Sequence, residues 1–490
     1  MRTLVVVSNP RDWPFEIPGV HVVGAKAYLT ESEYLEGRTT KVFNLCRSYR
    51  YQSMGYYVSL LAAARGHRPV PSISTIQDMK AAEIVRIRSD DLEELIAKSL
   101  AHITSDDFVL SMYFGRNVAR RYERLCMRLF GLFHAPLVRA HFSRSADGEW
   151  QLQRVAPISA GEIPTHHHDF VMRAATEYFT SRRWSPSRSS TAPYDLAILY
   201  DPEESEPPSD ERAIKKFMKA ARAFGMEPSI VDREDYTRLG EYDALFIRET
   251  TNVNHHTYRF SRRAQAEGLV VIDDPESIVR CTNKIYLAEL MTRHSVRIPK
   301  TLVVQRDGVD RIIPELGLPC VLKQPDSAFS QGVVKAKTEA ELYEEAERLF
   351  AKSELIVAQS YMPTDFDWRI GVFDRKPLWA CRYHMADGHW QIVNNQETGR
   401  PRSGRVEALP LDAVPKQVVK TAVRASELIG DGLYGVDLKE FGRKVYLVEI
   451  NDNPSIDVGY EDRAAGDDLY RAILSVFAKR LEALHAPRRV

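Results

Sequence analysis

Gly435–Ile456 reads GVDLKEFGRKVYLVEINDNPSI. Two apolar runs, GVDL and VYLVEI, flank a Gly-Arg-Lys turn, the pattern of a β-hairpin. A three-residue loop, Gly442 to Lys444, sets Asp437 directly opposite Glu449. Asn451, two residues on, points to the same face. The other face carries Val436, Leu438, Val448 and Ile450 and is a core face. A two-residue loop would instead send Asp437 and Glu449 to opposite faces. Like charges directly opposite on a sheet destabilise it by roughly 0.2–1 kcal/mol, so a positive group is expected between them. Two carboxylates and an amide oxygen suit Mg²⁺ better than zinc. Mg²⁺ held by few protein ligands completes its shell with water and substrate phosphates. A nucleotide-phosphate site is therefore one reading of the hairpin. The other is a solvated face whose charges pair with lysines.

The 490 residues allow two or three domains. Basic and acidic residues balance at 67 each, so no bulk field draws the chain to nucleic acid or to a membrane. The five cysteines, Cys46, Cys126, Cys281, Cys320 and Cys381, are dispersed without a CxxC. That pattern predicts reduced thiols and a cytoplasmic protein, not a disulfide framework or a zinc site. The N-terminus, MRTLVVVSNP, is a buried strand and not a signal peptide, and no apolar run approaches the ~18 residues that span a bilayer.

Strand Leu4–Val7, strand Lys41–Cys46 and a helix from Gly55 to a C-cap at Gly66 open an α/β region. Arg47, Tyr49, Arg50 and Tyr51 follow the second strand, where open α/β sheets bind ligands. They suit a carboxylate or phosphate, or equally a structural arginine–tyrosine cluster. Asp91–His102 and Asn117–Phe133 have helical periodicity. His166, His167 and His168 are adjacent in a polar loop and cannot all face one ion. SRRWSPSRSSTAP, 181–193, is a linker. Alternating strands and helices from Leu196 to Ile272 predict a small parallel sheet. There Arg248, Glu249 and Thr250 sit either at a ligand position or at a helix N-terminus.

Asn283-Lys284 precedes a helix, Ile285–His294. Strand Cys320–Lys323 ends in Lys323, and the small-residue loop Pro325–Gly332 after it can fold over phosphates or simply connect a hairpin. LIVAQSYMP is a strand running into a proline, with edge groups an adenine can pair with. Asp367 and Arg369 share a face of strand Trp368–Phe373. Arg382 ends strand Leu378–Cys381 and can neutralise a phosphate or grip a carboxylate, or form a surface ion pair. No GxxxxGK[ST] is present.

The order Lys284, Lys323, small-residue loop, QSYM, Asp367-x-Arg369, Arg382, GVDL, VEIN resembles the ATP-grasp superfamily, and within it the RimK-like carboxylate–amine ligases. The likeness covers about 193–485. NLCRSYRYQSMGYYVSLLAAARGH is similar to the N-terminal domain that accompanies some RimK-like proteins. The resemblance implies an α/β fold: an ATP-grasp domain of two α+β subdomains that clamp nucleotide (277–490), a parallel α/β pre-ATP-grasp domain (194–276), a linker (186–193) and an N-terminal α/β domain (1–185).

By position, the resemblance implies that Lys284 and Lys323 bind phosphates and that Ser330, Gln331 and Gly332 form the phosphate-covering loop. Gln359, Ser360, Tyr361 and Met362 would be the adenine hinge, and Asp367 would reach the ribose. Arg382, with Lys323, would serve the reacting phosphate. Asp437, Glu449 and Asn451 would hold two Mg²⁺ ions, with Mn²⁺ as a substitute; the hairpin argument reaches these three independently. Two departures stand out. The hinge reads QSYM where the family often has glutamate after the glutamine. In HWQIVNNQETGRPRSG, Asn394 or Asn395 takes the family's asparagine place and the Gly-Gly pair is missing.

The function implied is ATP- and Mg²⁺-dependent amide formation through an acyl phosphate, adding glutamate or another amino acid to a peptide or small molecule. A homo-oligomer is common among relatives. A phosphotransferase to a hydroxyl and a nucleotide-gated binding protein are the competing classes.

Overall fold

In the computed structural model, residues 2–34, 40–80, 85, 92–145, 147–180, 192–326, 332–386, 390–394 and 402–485 are described. Strands β1 (Arg2–Val7), β2 (Val20–Gly24), β3 (Thr40–Asn44) and β4 (Arg68–Val70) form a parallel sheet in the order β2-β1-β3-β4. The central pair is buried on both faces, which is why Leu4–Val7 and Val42–Phe43 are unbroken apolar runs. The helix Met54–Ala64 follows β3, capped by the Ser53 hydroxyl and closed at Gly66, whose φ is +73°.

An antiparallel sheet of β5 (Asp107–Tyr113), β6 (Leu137–Arg144) and β7 (Trp150–Pro157) completes this unit. Sequence periodicity had not resolved it. The expected helix Asn117–Phe133 is shorter, a 3₁₀ turn at Arg120–Tyr122 and then an α-helix Glu123–Leu132. The expected linker, 181–193, lies outside the described residues up to Thr191.

A second parallel sheet contains β8 (Tyr194–Leu199), β9 (Met226–Val231), β10 (Ala244–Ile247) and β11 (Val270–Ile272), ordered β11-β10-β8-β9. Ion pairs fasten it to the first unit: Lys41 Nζ lies 3.7 Å from Asp195 and Arg68 Nη2 lies 2.6 Å from Asp243.

Two antiparallel sheets follow. The first holds β12 (Thr301–Val304), β13 (Cys320–Lys323), β14 (Val333–Ala336) and β15 (Ile356–Ser360) in the order β12-β15-β13-β14. The second holds β16 (Phe366–Phe373), β17 (Lys376–His384), β20 (Val406–Leu409), β21 (Leu433–Phe441) and β22 (Lys444–Asp452), ordered β20-β17-β16-β21-β22. The two-residue strands β18 (Val393–Asn394) and β19 (Arg402–Ser403) pair beside it. The helix Lys416–Glu427 packs on its core face with Val436, Leu438 and Ile450. The last helix, Asp467–His485, shares one core with the helix Glu211–Ala223 and with Phe373, Trp379 and Leu433. No helix among the described residues is long and apolar enough to cross a membrane.

Candidate active site

The two antiparallel sheets and the loop after β10 enclose a cleft of about 950 Å³. One wall is the β21–β22 hairpin, and the register there corrects an expectation. Phe441 pairs with Lys444, so the turn is the two residues Gly442-Arg443 and not three. Such a turn alone would separate Asp437 from Glu449. A β-bulge restores the pairing: Leu438 faces Leu447, Asp437 faces Glu449, and Val448 is the extra residue. Leu447, not Val448, takes the core position, and Val448 lines the cleft.

Each acid on this wall has its own cation. Arg369 donates twice to Asp437, at 2.7 Å to each oxygen. Lys284 Nζ lies 2.9 Å from Glu449 Oε1. Asn451 Nδ2 donates to Asp437 Oδ2 at 3.1 Å. Burial pushes the Asp437 carboxyl up, and Glu449 and Asp367 add to this against the opposing pull of Arg369. Burial acts on Glu449 in the same sense, but Lys284 and Lys323 outweigh it and its pKa falls.

Among the described residues no group of three His, Cys, Asp or Glu side chains is placed to hold a metal. The donors here are two facing carboxylates and an amide, a set that fits a hard cation whose remaining ligands come from phosphate and water.

Lys323 ends β13 almost fully buried and projects into the same cleft. Burial lowers its pKa to about 8; Lys284 and Lys439 push the same way and Glu449 opposes them. Gln359, Ser360, Tyr361 and Met362 also line the cleft. Gln359 is held from the neighbouring strand, its Nε2 donating to Thr301 Oγ1 at 2.9 Å. Asp367 accepts from Lys439 Nζ at 2.5 Å and from Thr364 Oγ1 at 3.1 Å. Gly332 opens β14 with φ +71°, while Ser330, Gln331 and Asn395 lie outside the described residues. Asn394 belongs to β18.

Arg382 is the predicted residue that the structure turns away from the cleft. It pairs across the sheet with Trp368, whose ring is core. Its guanidinium lies 4.8 Å from the Trp368 ring and 4.9 Å from Phe366. Again a bulge decides the face. Phe373 pairs with Lys376, but between Gly371 and Val372 the register shifts, so Asp367 meets Tyr383 and not Arg382. Tyr383 therefore faces the cleft, with Arg369 4.7 Å above its ring and its hydroxyl donating to Glu461.

Further residues of the wall carry no sequence motif: Lys439, Tyr383, the loop Thr250–Asn252 and the turn carrying Asp457 and Glu461. Arg369 was visible as the same-face neighbour of Asp367. Arg248 is not a ligand group but a fully buried anchor. It donates to Asn453 Oδ1 at 2.7 Å, to Pro454 O at 2.9 Å and to Pro208 O at 2.5 Å. It thereby fixes the chain just after Asn451. Two of the three histidines are likewise structural: His167 pairs with the Tyr113 hydroxyl at 2.8 Å and His168 meets Ile163 O at 3.2 Å, while His166 is exposed.

Comparison with known proteins agrees with this architecture. Residues 25–174 match the RimK-like ATPgrasp N-terminal domain, and residues 281–475 match the RimK-like ATP-grasp domain. The chain is 27% identical over 231 residues to the alpha-aminoadipate–LysW ligase LysX of Sulfolobus acidocaldarius, covering 45% of this chain and 78% of that protein. It is 24% identical over 280 residues to a probable alpha-L-glutamate ligase of Thioalkalivibrio sulfidiphilus, covering 53% of this chain and 89% of the other. Among solved structures, D-alanine–D-alanine ligase from Bacillus anthracis superposes with a TM-score of 0.47 at 13% identity, over 59% of this chain and 98% of that one.

Proposed function

The chain belongs to the RimK-like ATP-grasp ligases, and from that premise we propose that it joins an amino acid such as glutamate to a peptide or small molecule through an acyl phosphate. The observation that carries the reading is convergence. Lys284 and Lys323 on one side, and Asp437, Glu449 and Asn451 on the other, share one cleft although about 170 residues of sequence separate the first from the last.

ATP and a divalent cation are the family's requirement. Asp437, Glu449 and Asn451 would hold the cation, two ions in the fuller reading, with Mn²⁺ replacing Mg²⁺. Bound there, it supplies charge neutralisation to phosphate oxygens. Lys284 and Lys323 add fixed positive charge; β15 is an inner strand paired on both sides through Gln359, so the adenine would meet the backbone beyond its end, at Tyr361 and Met362. Asp367, held by Lys439 and Thr364, would reach the ribose. Arg369 and Tyr383 take the place near the reacting phosphate that the sequence assigned to Arg382.

Phosphoryl transfer asks for positioning and electrostatics more than for protein nucleophiles. A substrate carboxylate oxygen attacks the γ-phosphorus and ADP leaves. The acceptor nitrogen then attacks the acyl carbon and phosphate leaves. Beside Tyr383 the cleft wall is acidic, with Asp457 and Glu461 in it. An ammonium group is drawn there. Asp457, pushed to about 6 by burial and by Glu461, is ionised at neutral pH and can receive the surplus proton. The five cysteines are all buried free thiols, which suits work in a reducing cytoplasm.

Incubation with ATP, Mg²⁺ and pools of amino acids and peptides tests the reading by mass spectrometry. Amine-dependent ADP and phosphate, with amino-acid-sized mass additions, are expected. A phosphorylated product without free phosphate would make the protein a phosphotransferase instead.

A further inference from the structure

The N-terminal unit has a second crevice, of about 680 Å³, and the catalytic reading makes no use of it. It opens at the C-terminal end of β3, beside the point where the connections from β1 and β3 leave in opposite directions, the usual ligand position of an open α/β sheet. Ile76, Met79 and Val155 form a buried apolar floor. Arg47, Arg50, Lys80 and Arg154 surround it, with Glu162 as the one acid of the lining.

Two charges in this set are already answered. Arg47 holds Asp12 at 2.9 Å, and Glu162 faces Arg139 at 3.9 Å. Arg50, Lys80 and Arg154 have no ion pair among the described residues; Lys80 has only the Tyr56 ring, 6.0 Å away. Like charges gathered around one crevice repel each other, and an anion placed between them removes that cost.

Size and surroundings say what kind of anion. The volume lies in the range of about 300–1,000 Å³ that encloses a drug-sized ligand, well beyond a single carboxylate. Next to the rim, the helix Met54–Ala64 contains no charged residue. Yet Met54, Tyr57 and Leu60 are exposed along it, and Tyr51, beside Arg50, is 69% exposed. Tyr56 links the two: its ring lies 6.0 Å from Lys80 Nζ and touches the rings of Tyr51 and Tyr57, and exposed apolar side chains near a cationic crevice match a ligand that is both acidic and apolar. A bilayer cannot enter a concave site, whereas an extended chain can lie in it and reach the helix beside it. The crevice wall is also a run of consecutive residues, Gln153–Pro157 of β7, the edge strand of its sheet.

We propose that this crevice docks an acidic peptide segment. Its carboxylates meet Arg50, Lys80 and Arg154, and its apolar side chains lie on Tyr51, Met54, Tyr57 and Leu60. An extended peptide can do both, because alternate side chains point to opposite faces.

The test uses the full chain without ATP, so it succeeds or fails independently of the ligase reading. A fluorescein-labelled decapeptide of alternating Glu and Leu is titrated by anisotropy, beside a Lys/Leu decapeptide, inorganic phosphate as competitor, and vesicles containing phosphatidylserine. Saturable, salt-sensitive binding of the Glu/Leu peptide is expected. Arg50→Glu with Arg154→Glu should weaken it at least ~tenfold, and Tyr57→Ser about threefold, with ATP turnover unchanged. Equal binding of the Lys/Leu peptide overturns the proposal. So does full competition by millimolar phosphate, binding of vesicles but not peptide, or a self-associated dimer lost in Tyr57→Ser.

Discussion

Lys284 Nζ stands 2.9 Å from Glu449 Oε1, so the lysine proposed for phosphate and the acid proposed for the cation hold each other. Glu449→Gln keeps a hydrogen-bonding partner for the lysine and removes the charge. The variant should fold normally by circular dichroism and lose Mg²⁺-dependent ADP formation by at least ~100-fold, roughly 2.7 kcal/mol. Near-normal turnover would remove the cation assignment.

Lys323 should give nucleotide binding a pH dependence. Its pKa is lowered from 10.5 to about 8 by burial, so above pH 8 the folded chain loses this charge while the unfolded chain keeps it. Stability therefore rises with pH between about 8 and 10.5, where the unfolded state binds more protons. ADP affinity moves the opposite way. In metal-free buffer its Kd, read by calorimetry, should rise as pH passes 8, approaching about tenfold per unit if one proton is required. Lys323→Met should bind at least ~tenfold more weakly and lack that rise; an unchanged Kd would remove the lysine from the nucleotide site.

Arg382 and Tyr383 differ by one position and should differ in kind. Arg382→Leu removes a guanidinium stacked on Trp368 and Phe366. It should cost about 1 kcal/mol of stability in urea unfolding while ADP affinity stays within about twofold. Tyr383→Ala should instead lower turnover with little change in ADP affinity. A large loss of nucleotide binding in Arg382→Leu would mean the β17 register is wrong.

Gly371 lies beneath Trp379, whose Cδ2 is 2.1 Å from where a Cβ would stand. Gly371→Ala should therefore destabilise by about 3 kcal/mol or more, the upper end for overpacking, lowering the midpoint of thermal unfolding. Adding Trp379→Ala should relieve the clash but leave a cavity, so the double mutant should be less destabilised than the sum of the singles.

Arg248→Met should be among the most damaging single changes. It leaves Asn453 Oδ1, Pro454 O and Pro208 O without their buried donor, a loss of about 3–5 kcal/mol. Nucleotide binding should weaken in whatever fraction folds, because the chain after Asn451 is set free. Wild-type melting behaviour would show that the anchor is dispensable.

Much of the fold was legible in the sequence. The parallel strands are unbroken apolar runs, and Asn283 marks a helix start that the structure caps with that side chain. Lys284, Lys323, Asp437, Glu449 and Asn451 stand out in the sequence, and the structure brings them into one cleft. What failed was parity. Local sequence does not announce a bulge, because the extra residue is chosen by how a twisted sheet closes over its core. Val448 rescued a pairing argued from the wrong loop length, and the shift at Gly371 turned Arg382 away. The sheet β5–β7 carried one local signal, the turn dipeptide Asp147-Gly148 between β6 and β7, but β5 is separated from β6 by a helix, so the sequence does not show that the three strands pair.

The shared core of the helices Glu211–Ala223 and Asp467–His485 has a practical consequence. The match that begins at residue 281 starts after one of these partners and stops short of the other's end. A fragment trimmed to those limits would leave Phe373 and Trp379 short of the side chains that cover them and expose an oily flank to solvent. Anyone transplanting this catalytic module into another scaffold should carry it from the start of β8 to the close of the final helix, because sequence kinship and mechanical independence divide this polypeptide at different places.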